Sequence, residues 1–200
     1  MGINNDDCGI SIGKRKGKLK MAEANKINLE DYITSIPDYP EPGVVFKDIT
    51  PLLASPVAFK AAIDRIVGHF GGTKIDKVIG AEARGFIMGT PVAYQLNAGF
   101  IPARKPGKLP RATISQEYDL EYGTATIHIH EDALSKGENV LIVDDLIATG
   151  GTAVAQAKLI ERAGANLVGM AFLMELEFLN PRKLLAQEIE TDVLSLIKVK

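Results

Sequence analysis

The most informative stretch of this chain is residues 140–152, which read Val140-Leu141-Ile142-Val143-Asp144-Asp145-Leu146-Ile147-Ala148-Thr149-Gly150-Gly151-Thr152. Its first four residues are apolar and form a run short enough for a fully buried strand. Two adjacent carboxylates, Asp144 and Asp145, end that run. A small, glycine-rich loop follows, and a helical pattern extends from about Ala153 to Arg162. The stretch therefore predicts a strand, an acidic strand end and a loop that enters a helix.

This order of elements places two kinds of binding group side by side. Carboxylates at the end of a strand accept hydrogen bonds from the hydroxyl groups of a sugar. Free backbone N–H groups at the start of a helix hold a phosphate. A ribose 5-phosphate carries a diol and a phosphate, so the stretch predicts a site for such a group. The alternative is a solvated acidic strand end that is followed by an ordinary helix-entry turn.

The rest of the chain alternates between strand and helix patterns, which favours an α/β fold with a largely parallel sheet covered by helices on both faces. Ligands of such sheets bind at the carboxyl ends of the strands. The charged stretch Arg104–Gly123 shows no apolar period, so we expect a long loop there that is either functional or disordered. We expect helices at Leu29–Ser35 with Asn28 as N-cap, Pro56–His69, Phe86–Leu96 and Ala153–Arg162 with Gly164 after it, and strands at Lys77–Gly80, Phe100–Ala103, Thr124–Ile129, Val140–Val143, Leu167–Leu173 and Val193–Ile197.

Composition narrows the class of protein. The 200 residues are 46% hydrophobic and 24% charged, which is typical of one globular domain. Apolar runs are too short for a membrane span, and a single cysteine, Cys8, fits a free surface thiol in the cytoplasm. Five basic against two acidic residues give the first twenty residues a charge of +3, which leaves −5 for the remaining 180. We therefore expect a solvated tail or upstream extension at 1–20, and neither nucleic acid nor a membrane as partner.

The stretch at 140–152 resembles the phosphoribosyl-diphosphate motif of the type I phosphoribosyltransferases. Three further segments resemble parts of the adenine-using members of that family: residues 36–51 their purine-binding segment, residues 80–86 their diphosphate loop, and residues 104–110 with 118–123 their flap. The resemblance implies the type I phosphoribosyltransferase fold, a mostly parallel twisted sheet flanked by helices. It also implies one domain over 21–200, with a small N-terminal hood at 21–50 and a mobile flap at 104–123.

By this resemblance, Asp144 and Asp145 are catalytic and bind the ribose 2′- and 3′-hydroxyls. Their negative charge also suits a positive charge that develops at C1′. The 5′-phosphate is expected to bind the backbone N–H groups and threonine hydroxyls of the loop that follows, which consists of Ala148, Thr149, Gly150, Gly151 and Thr152.

The resemblance assigns the leaving diphosphate to Arg84, also as a catalytic residue, with a cis peptide bond between Glu82 and Ala83. Arg104 and Lys105 are expected to add positive charge there. Mg²⁺ is expected to arrive bound to the substrate diphosphate, without a direct protein ligand. A surface ion pair between Glu82 and Arg84 is the alternative for this loop.

For the base, the resemblance implies that backbone groups of Val45 and Lys47 read adenine, and that Phe46 and Leu146 stack on its two faces. Phe46 as a simple core residue is the alternative for this segment.

The resemblance also places two site residues on the flap. Glu121 is expected to act on the proton at the purine N7, and Tyr122 to contact the substrate. A solvated loop charge is the alternative for Glu121. His128 and His130 lie on one strand face, a spacing that can bind metal, but a surface strand is the simpler interpretation.

The implied reaction joins adenine to 5-phosphoribosyl diphosphate and releases AMP and diphosphate, a step of purine salvage, in a homodimer. Two rivals remain open at this point. The same fold could use a 6-oxopurine such as hypoxanthine, guanine or xanthine, or it could serve a regulator that senses phosphoribosyl diphosphate.

Overall fold

The computed structural model describes residues 24–119 and 123–200. The chain divides into two compact units, whose boundary falls between His69 and Phe70. The predicted tail at 1–20, with Cys8, lies outside the described residues. Within the described ranges, no helix has the length and apolar character needed to cross a membrane.

The described residues of the first unit include a β-ribbon and two α-helices. Strand β1 (Thr34–Pro37) pairs antiparallel with β2 (Val45–Asp48), and the helices are α1 (Thr50–Ala54) and α2 (Pro56–Phe70), whose last residue belongs to the second unit. The predicted helix Pro56–His69 is thereby confirmed.

The predicted helix Leu29–Ser35 is wrong. A single 3₁₀ turn occupies Leu29–Tyr32, and β1 starts at Thr34. The Asn28 side chain donates to the Asp31 carboxylate at 2.7 Å instead of capping the backbone. The β-branched residues that follow the turn suit a strand better than a helix, and pairing with β2 was not visible in the local sequence.

The second unit is built on a five-stranded parallel sheet with the order β4-β3-β7-β8-β9. The buried run Val140–Val143 lies in β7 at its centre, where all four side chains are fully buried, as predicted. The sheet therefore confirms the mostly parallel α/β class. Its strands are β3 (Lys77–Ala81), β4 (Gly99–Ala103), β7 (Asn139–Ile147), β8 (Asn166–Leu176) and β9 (Val193–Val199), and its helices are α3 (Arg84–Leu96), α4 (Gly151–Arg162) and α5 (Pro181–Glu188).

Within the expected long loop at Arg104–Gly123, residues Thr113–Asp119 instead form one arm of a β-hairpin. Strand β5 (Thr113–Asp119) pairs antiparallel with β6 (Thr124–His130), outside the parallel sheet. The charges of β5 obscured its strand character, because only one of its faces packs against apolar residues, through Ile114 and Tyr118. The strand was therefore visible only through its pairing with β6.

The end of helix α4 and the presence of helix α5 can also be compared with the sequence prediction. Gly164 adopts φ +71° just after α4, as expected for a glycine that ends a helix. Helix α5 was not predicted, because it is only eight residues long and begins at Pro181 after a 3₁₀ turn.

Candidate active site

A cavity of about 540 Å³ opens at the carboxyl ends of β3 and β7 in the second unit. Three segments identified from the sequence contribute to this one cavity. They are the diphosphate loop (residues 80–86), the acid pair (Asp144 and Asp145) and the phosphate loop (residues 148–152). Its walls are formed by Ala81, Glu82, Ala83, Arg84, Lys105, Tyr118, Thr126, Ile127, Asp144, Asp145, Leu146, Ile147, Ala148, Thr149, Gly150, Gly151, Thr152, Ala153 and Phe172. Residues of five strands (β3, β5, β6, β7 and β8), of helices α3 and α4 and of the loops between them therefore converge on a space large enough for a nucleotide-sized ligand.

The acid pair lies inside β7 and does not end it, because the strand continues to Ile147. Asp144 is 9% exposed and Asp145 is 6% exposed, so the alternative of a solvated strand end is wrong. The Arg84 Nε donates to Asp145 Oδ2 at 2.5 Å, and the Asp145 backbone N–H donates to Asp144 Oδ1 at 2.8 Å. The two carboxylates thus have different partners, a guanidinium for Asp145 and a backbone amide for Asp144.

The ionised form of the Asp144 carboxyl is electrostatically unfavourable in this position. Burial raises the pKa of its carboxyl well above the usual range, and the neighbouring charge of Asp145 raises it further. The helix α3 also approaches it closely, since a Cβ on Gly85 would lie 2.7 Å from Asp144 Oδ1. A buried acid that opposes stability while it lines a cavity is typical of a functional site.

We expect Asp144→Asn to be more stable than the parent protein at neutral pH, by about 1 kcal/mol or a few degrees in Tm. The asparagine side-chain oxygen can still accept from the Asp145 N–H, and it carries no charge to desolvate. Because the folded-state pKa of Asp144 is raised, its contribution to stability is complete below the unfolded pKa and is lost as the pH rises through the folded pKa. Thermal melts of both proteins from pH 4.5 to 8 should therefore show a gap that widens with pH. An equal gap at every pH would contradict this assignment.

The phosphate loop connects β7 to α4. Gly150 adopts φ +95° at the N-cap of α4, a conformation that favours glycine. No side chain caps this helix end among the described residues, so the first backbone N–H groups of α4 are available to a ligand. Residues 148–152 all line the cavity, and their role in phosphate binding stays a prediction. An anion at this position would meet both free N–H groups and the positive end of the helix dipole.

The diphosphate loop contains the cis peptide bond between Glu82 and Ala83 that the resemblance implied. The alternative ion pair between Glu82 and Arg84 does not form. Glu82 instead accepts from Arg104 Nε at 2.7 Å, which lowers the pKa of the Glu82 carboxyl. Arg84 and Lys105 line the cavity, whereas Arg104 is engaged by Glu82 and by the carbonyl oxygen of Lys108 at 3.1 Å.

The hairpin adds cavity residues that the sequence analysis missed. Tyr118 of β5 and Thr126 and Ile127 of β6 line the cavity, as does Phe172 of β8. Phe172 is the register partner of Asp144, so only the strand pairing could have found it. The flap residues Glu121 and Tyr122 lie outside the described residues, and their roles stay predictions.

The base-binding segment lies in the first unit, on β2. Phe46 is half-buried and packs edge-on against Tyr39, with ring centroids 5.3 Å apart, so it is not simply a core residue. The Lys47 Nζ donates to Ser35 Oγ at 2.7 Å. Leu146 lines the cavity of the second unit. The assignment of Val45, Phe46, Lys47 and Leu146 to adenine stays a prediction.

The two histidines of β6 have hairpin partners. His128 Nδ1 lies 3.3 Å from Thr113 Oγ1, and His130 Nδ1 lies 3.4 Å from the Ala112 carbonyl oxygen. Over residues 24–119 and 123–200, no three His, Cys, Asp or Glu side chains group in a way that could hold a metal ion.

Comparison with known proteins agrees with this geometry. The family model of the phosphoribosyl transferase domain matches residues 48–197. The adenine phosphoribosyltransferase of Brachyspira hyodysenteriae is 57% identical over 157 residues, which is 78% of this chain and 92% of that relative. The crystal structure of the enzyme of that name from Thermoanaerobacter pseudethanolicus gives a TM-score of 0.81 at 49% identity and covers 86% of this chain and 99% of its own.

A third relative was solved with ligands. The adenine phosphoribosyltransferase of Saccharomyces cerevisiae, complexed with an imino-altritol bisphosphate and adenine, gives a TM-score of 0.78 at 37% identity and covers 88% of this chain and 98% of its own. With a family model that matches three quarters of the chain and relatives above half identity, this chain belongs to the adenine phosphoribosyltransferases of the type I phosphoribosyltransferase family.

Proposed function

We propose that this protein transfers the phosphoribosyl group of 5-phosphoribosyl diphosphate to adenine, which yields AMP and diphosphate in purine salvage. The observation that carries the proposal is the single cavity in which the acid pair, the phosphate loop and Arg84 meet. These three groups match the diol, the 5′-phosphate and the diphosphate of one substrate. Membership in the adenine phosphoribosyltransferases supports adenine as the base.

The acid pair is proposed to bind the ribose. Asp145, which accepts a hydrogen bond from Arg84, offers carboxylate oxygens to the ribose hydroxyls, and Asp144 lies beside it in the cavity wall. When the bond between C1′ and the diphosphate breaks, positive charge develops on the ribose. A fixed carboxylate in a partly dry cavity stabilises that charge more than water would. The pair therefore serves both to bind the substrate and to stabilise the transition state.

The phosphate loop and the diphosphate loop hold the two ends of the substrate. Backbone N–H groups at the start of α4 fix the 5′-phosphate, with the hydroxyls of Thr149 and Thr152 as further donors. Arg84 and Lys105 are the cavity cations that face the leaving diphosphate. Arg104 is proposed to act there too, which requires it to leave Glu82 or to act through it.

The residues of the cavity fit Mg²⁺ that arrives with the substrate. Mg²⁺ prefers oxygen ligands and keeps substrate phosphates and water in its coordination shell, so it needs few protein ligands. Asp144 and Asp145 are the cavity carboxylates that would accept hydrogen bonds from its water ligands, so no direct protein ligand is required. When bound, Mg²⁺ neutralises charge on the diphosphate.

The base and the flap complete the proposal. The backbone of Val45 and Lys47 reads adenine, Phe46 and Leu146 stack on it, and Glu121 handles the proton at N7 with Tyr122 as a substrate contact. The flap excludes water, which would otherwise hydrolyse the activated sugar. We also propose that the enzyme works as a homodimer in the cytoplasm, where the single cysteine would stay reduced.

Product analysis tests the function. The protein is mixed with Mg²⁺ and phosphoribosyl diphosphate, and adenine, hypoxanthine, guanine and xanthine are offered one at a time. We expect AMP from adenine, with a kcat/KM at least about 100-fold above that for any 6-oxopurine, because a site that pairs with the C6 amine leaves groups unpaired against a carbonyl. Preferred formation of IMP, GMP or XMP would make it a 6-oxopurine enzyme. Binding of phosphoribosyl diphosphate without any nucleotide product would favour the sensor.

A further inference from the structure

A buried carboxylate outside the proposed chemistry lies next to the phosphate loop. The Glu175 side chain is 1% exposed and sits near the carboxyl end of β8. Its register partner is Ile147, the last residue of β7, after which the phosphate loop begins. A buried charge is costly unless it is fully paired, so its partner is informative.

That partner is Arg182 in the first turn of α5. Its Nε donates to Glu175 Oε1 at 2.9 Å and its Nη2 donates to Oε2 at 2.7 Å, which is the bidentate geometry of a strong pair. Its Nη1 donates to the Val193 carbonyl oxygen at 2.8 Å, and Nη2 lies 3.1 Å from Ser195 Oγ. The hydrogen bonds from Arg182 lower the pKa of the Glu175 carboxyl. The Arg182 guanidinium thus links the first turn of α5 to both β8 and β9 by hydrogen bonds.

The first turn of α5 also lies beside the phosphate loop. A Cβ built on Gly150 would lie 3.5 Å from the Pro181 carbonyl oxygen, 3.6 Å from Leu184 Cδ2 and 3.8 Å from Leu185 Cδ2. An added Cβ would thus be in ordinary van der Waals contact, so the first turn of α5 lies next to Gly150 with room for a methyl group between them. Because Pro181 is adjacent to Arg182 in the chain, removal of the hydrogen bonds of the guanidinium would release the turn that lies beside the loop.

We propose that Arg182 is a positioning residue that holds the phosphate loop in its binding conformation through the first turn of α5. The inference rests on the proposed function for the identity of the ligand, a ribose 5-phosphate group. Backbone N–H groups bind a phosphate well only when they are held at the right spacing, and displacement by about 1 Å is enough to weaken such a site strongly. Arg182 therefore acts on phosphate affinity and not on the chemical step.

The experiment compares Arg182→Ala and Arg182→Lys with the parent protein. We expect Arg182→Ala to raise the KM for phosphoribosyl diphosphate about tenfold or more, and to leave kcat and the KM for adenine within about threefold. Lysine restores the charge without the planar fork, so Arg182→Lys should fall between the two. Lys158→Ala is the control, since it removes the exposed pair of Lys158 with Glu188, at 2.9 Å, that also joins α4 to α5. It should leave every kinetic constant unchanged.

Calorimetric measurement of ribose 5-phosphate binding distinguishes failure of the positioning role from failure of the proposed function. If the parent protein binds ribose 5-phosphate but forms no AMP, the proposed function fails, and a roughly tenfold weaker affinity in Arg182→Ala still supports the positioning role. If Arg182→Ala lowers the Tm but binds ribose 5-phosphate as the parent does, the role is purely structural and the proposal is overturned. Should Arg182→Ala not fold, Glu175→Gln decides in the same assay, because it keeps a hydrogen-bond acceptor for Arg182 and weakens the pair. Unchanged affinity in that variant overturns the proposal.

Discussion

Asp145→Asn is expected to lower kcat for AMP formation by about 100- to 1,000-fold, the usual loss when one preorganised electrostatic group is removed from a transition state. Asparagine has nearly the same shape as aspartate, but it removes the negative charge that faces the developing cation at C1′. It also removes the ionic partner of the Arg84 guanidinium, whose Nε lies 2.5 Å from Asp145 Oδ2 in the parent protein. The measurement is steady-state turnover with saturating adenine and phosphoribosyl diphosphate.

Asp132→Asn is the matched control for the Asp145 variant. It makes the same change of one charge at an exposed acid, which pairs with Arg111 at the surface, away from the cavity residues. We expect turnover within about twofold of the parent for this control, since exposed ion pairs contribute little. The circular dichroism spectra of both variants should match the parent. Near-normal turnover of Asp145→Asn would remove Asp145 from the catalytic residues.

The strand, the acid pair and the helix entry of residues 140–152 could be predicted because their signals are local. The apolar run of β7, the adjacent acids and the glycine-rich entry to α4 are all contiguous, so their chemistry follows from short-range rules. Gly150 adopts φ +95° at the start of the helix, a left-handed conformation that glycine allows and other residues rarely adopt. The same rules placed the site at the carboxyl ends of parallel strands.

Pairing between distant residues could not be predicted, because it depends on strand register. Ala81 and Ala103 are register partners in the parallel strands β3 and β4, so the residues that follow them, Glu82 and Arg104, come side by side. Local sequence suggested Glu82 with Arg84 instead. Arg84 turns to Asp145, 61 positions further along the chain.

The end of β7 shows the same limit. Two acids interrupt the apolar run, so hydrophobic periodicity ends the strand at Val143. Parallel pairing with β8 nevertheless continues to Ile147 opposite Glu175. Backbone hydrogen bonds to a neighbouring strand extend an element beyond the point at which its side chains become polar. The acids are therefore held by a strand on a rigid sheet, which is a better support for a site than a loop.

Gly85→Ala is expected to disable the site without any change to a charged group. A Cβ on Gly85 would lie 2.7 Å from Asp144 Oδ1, closer than real Cβ contacts allow, so one of the two must move. The backbone of Gly85 has little room to retreat, because a Cβ on Gly80 would already lie 2.7 Å from the Gly85 carbonyl oxygen. The displacement therefore falls largely on the Asp144 carboxylate and on Arg84, which precedes Gly85 at the start of α3.

A shift of about 1 Å in a substrate-positioning group costs on the order of 100-fold, so kcat/KM for phosphoribosyl diphosphate should fall by about that factor in Gly85→Ala. The free energy of unfolding of Gly85→Ala should change little. Alanine stabilises a helix by about 1 kcal/mol relative to glycine, and this offsets part of the local strain. Gly72→Ala is the control, because a Cβ there would meet nothing within 4 Å. A Gly85→Ala enzyme with kcat/KM within about threefold of the Gly72→Ala control would show that Asp144 has freedom to move, and that its buried position is not what the reaction requires.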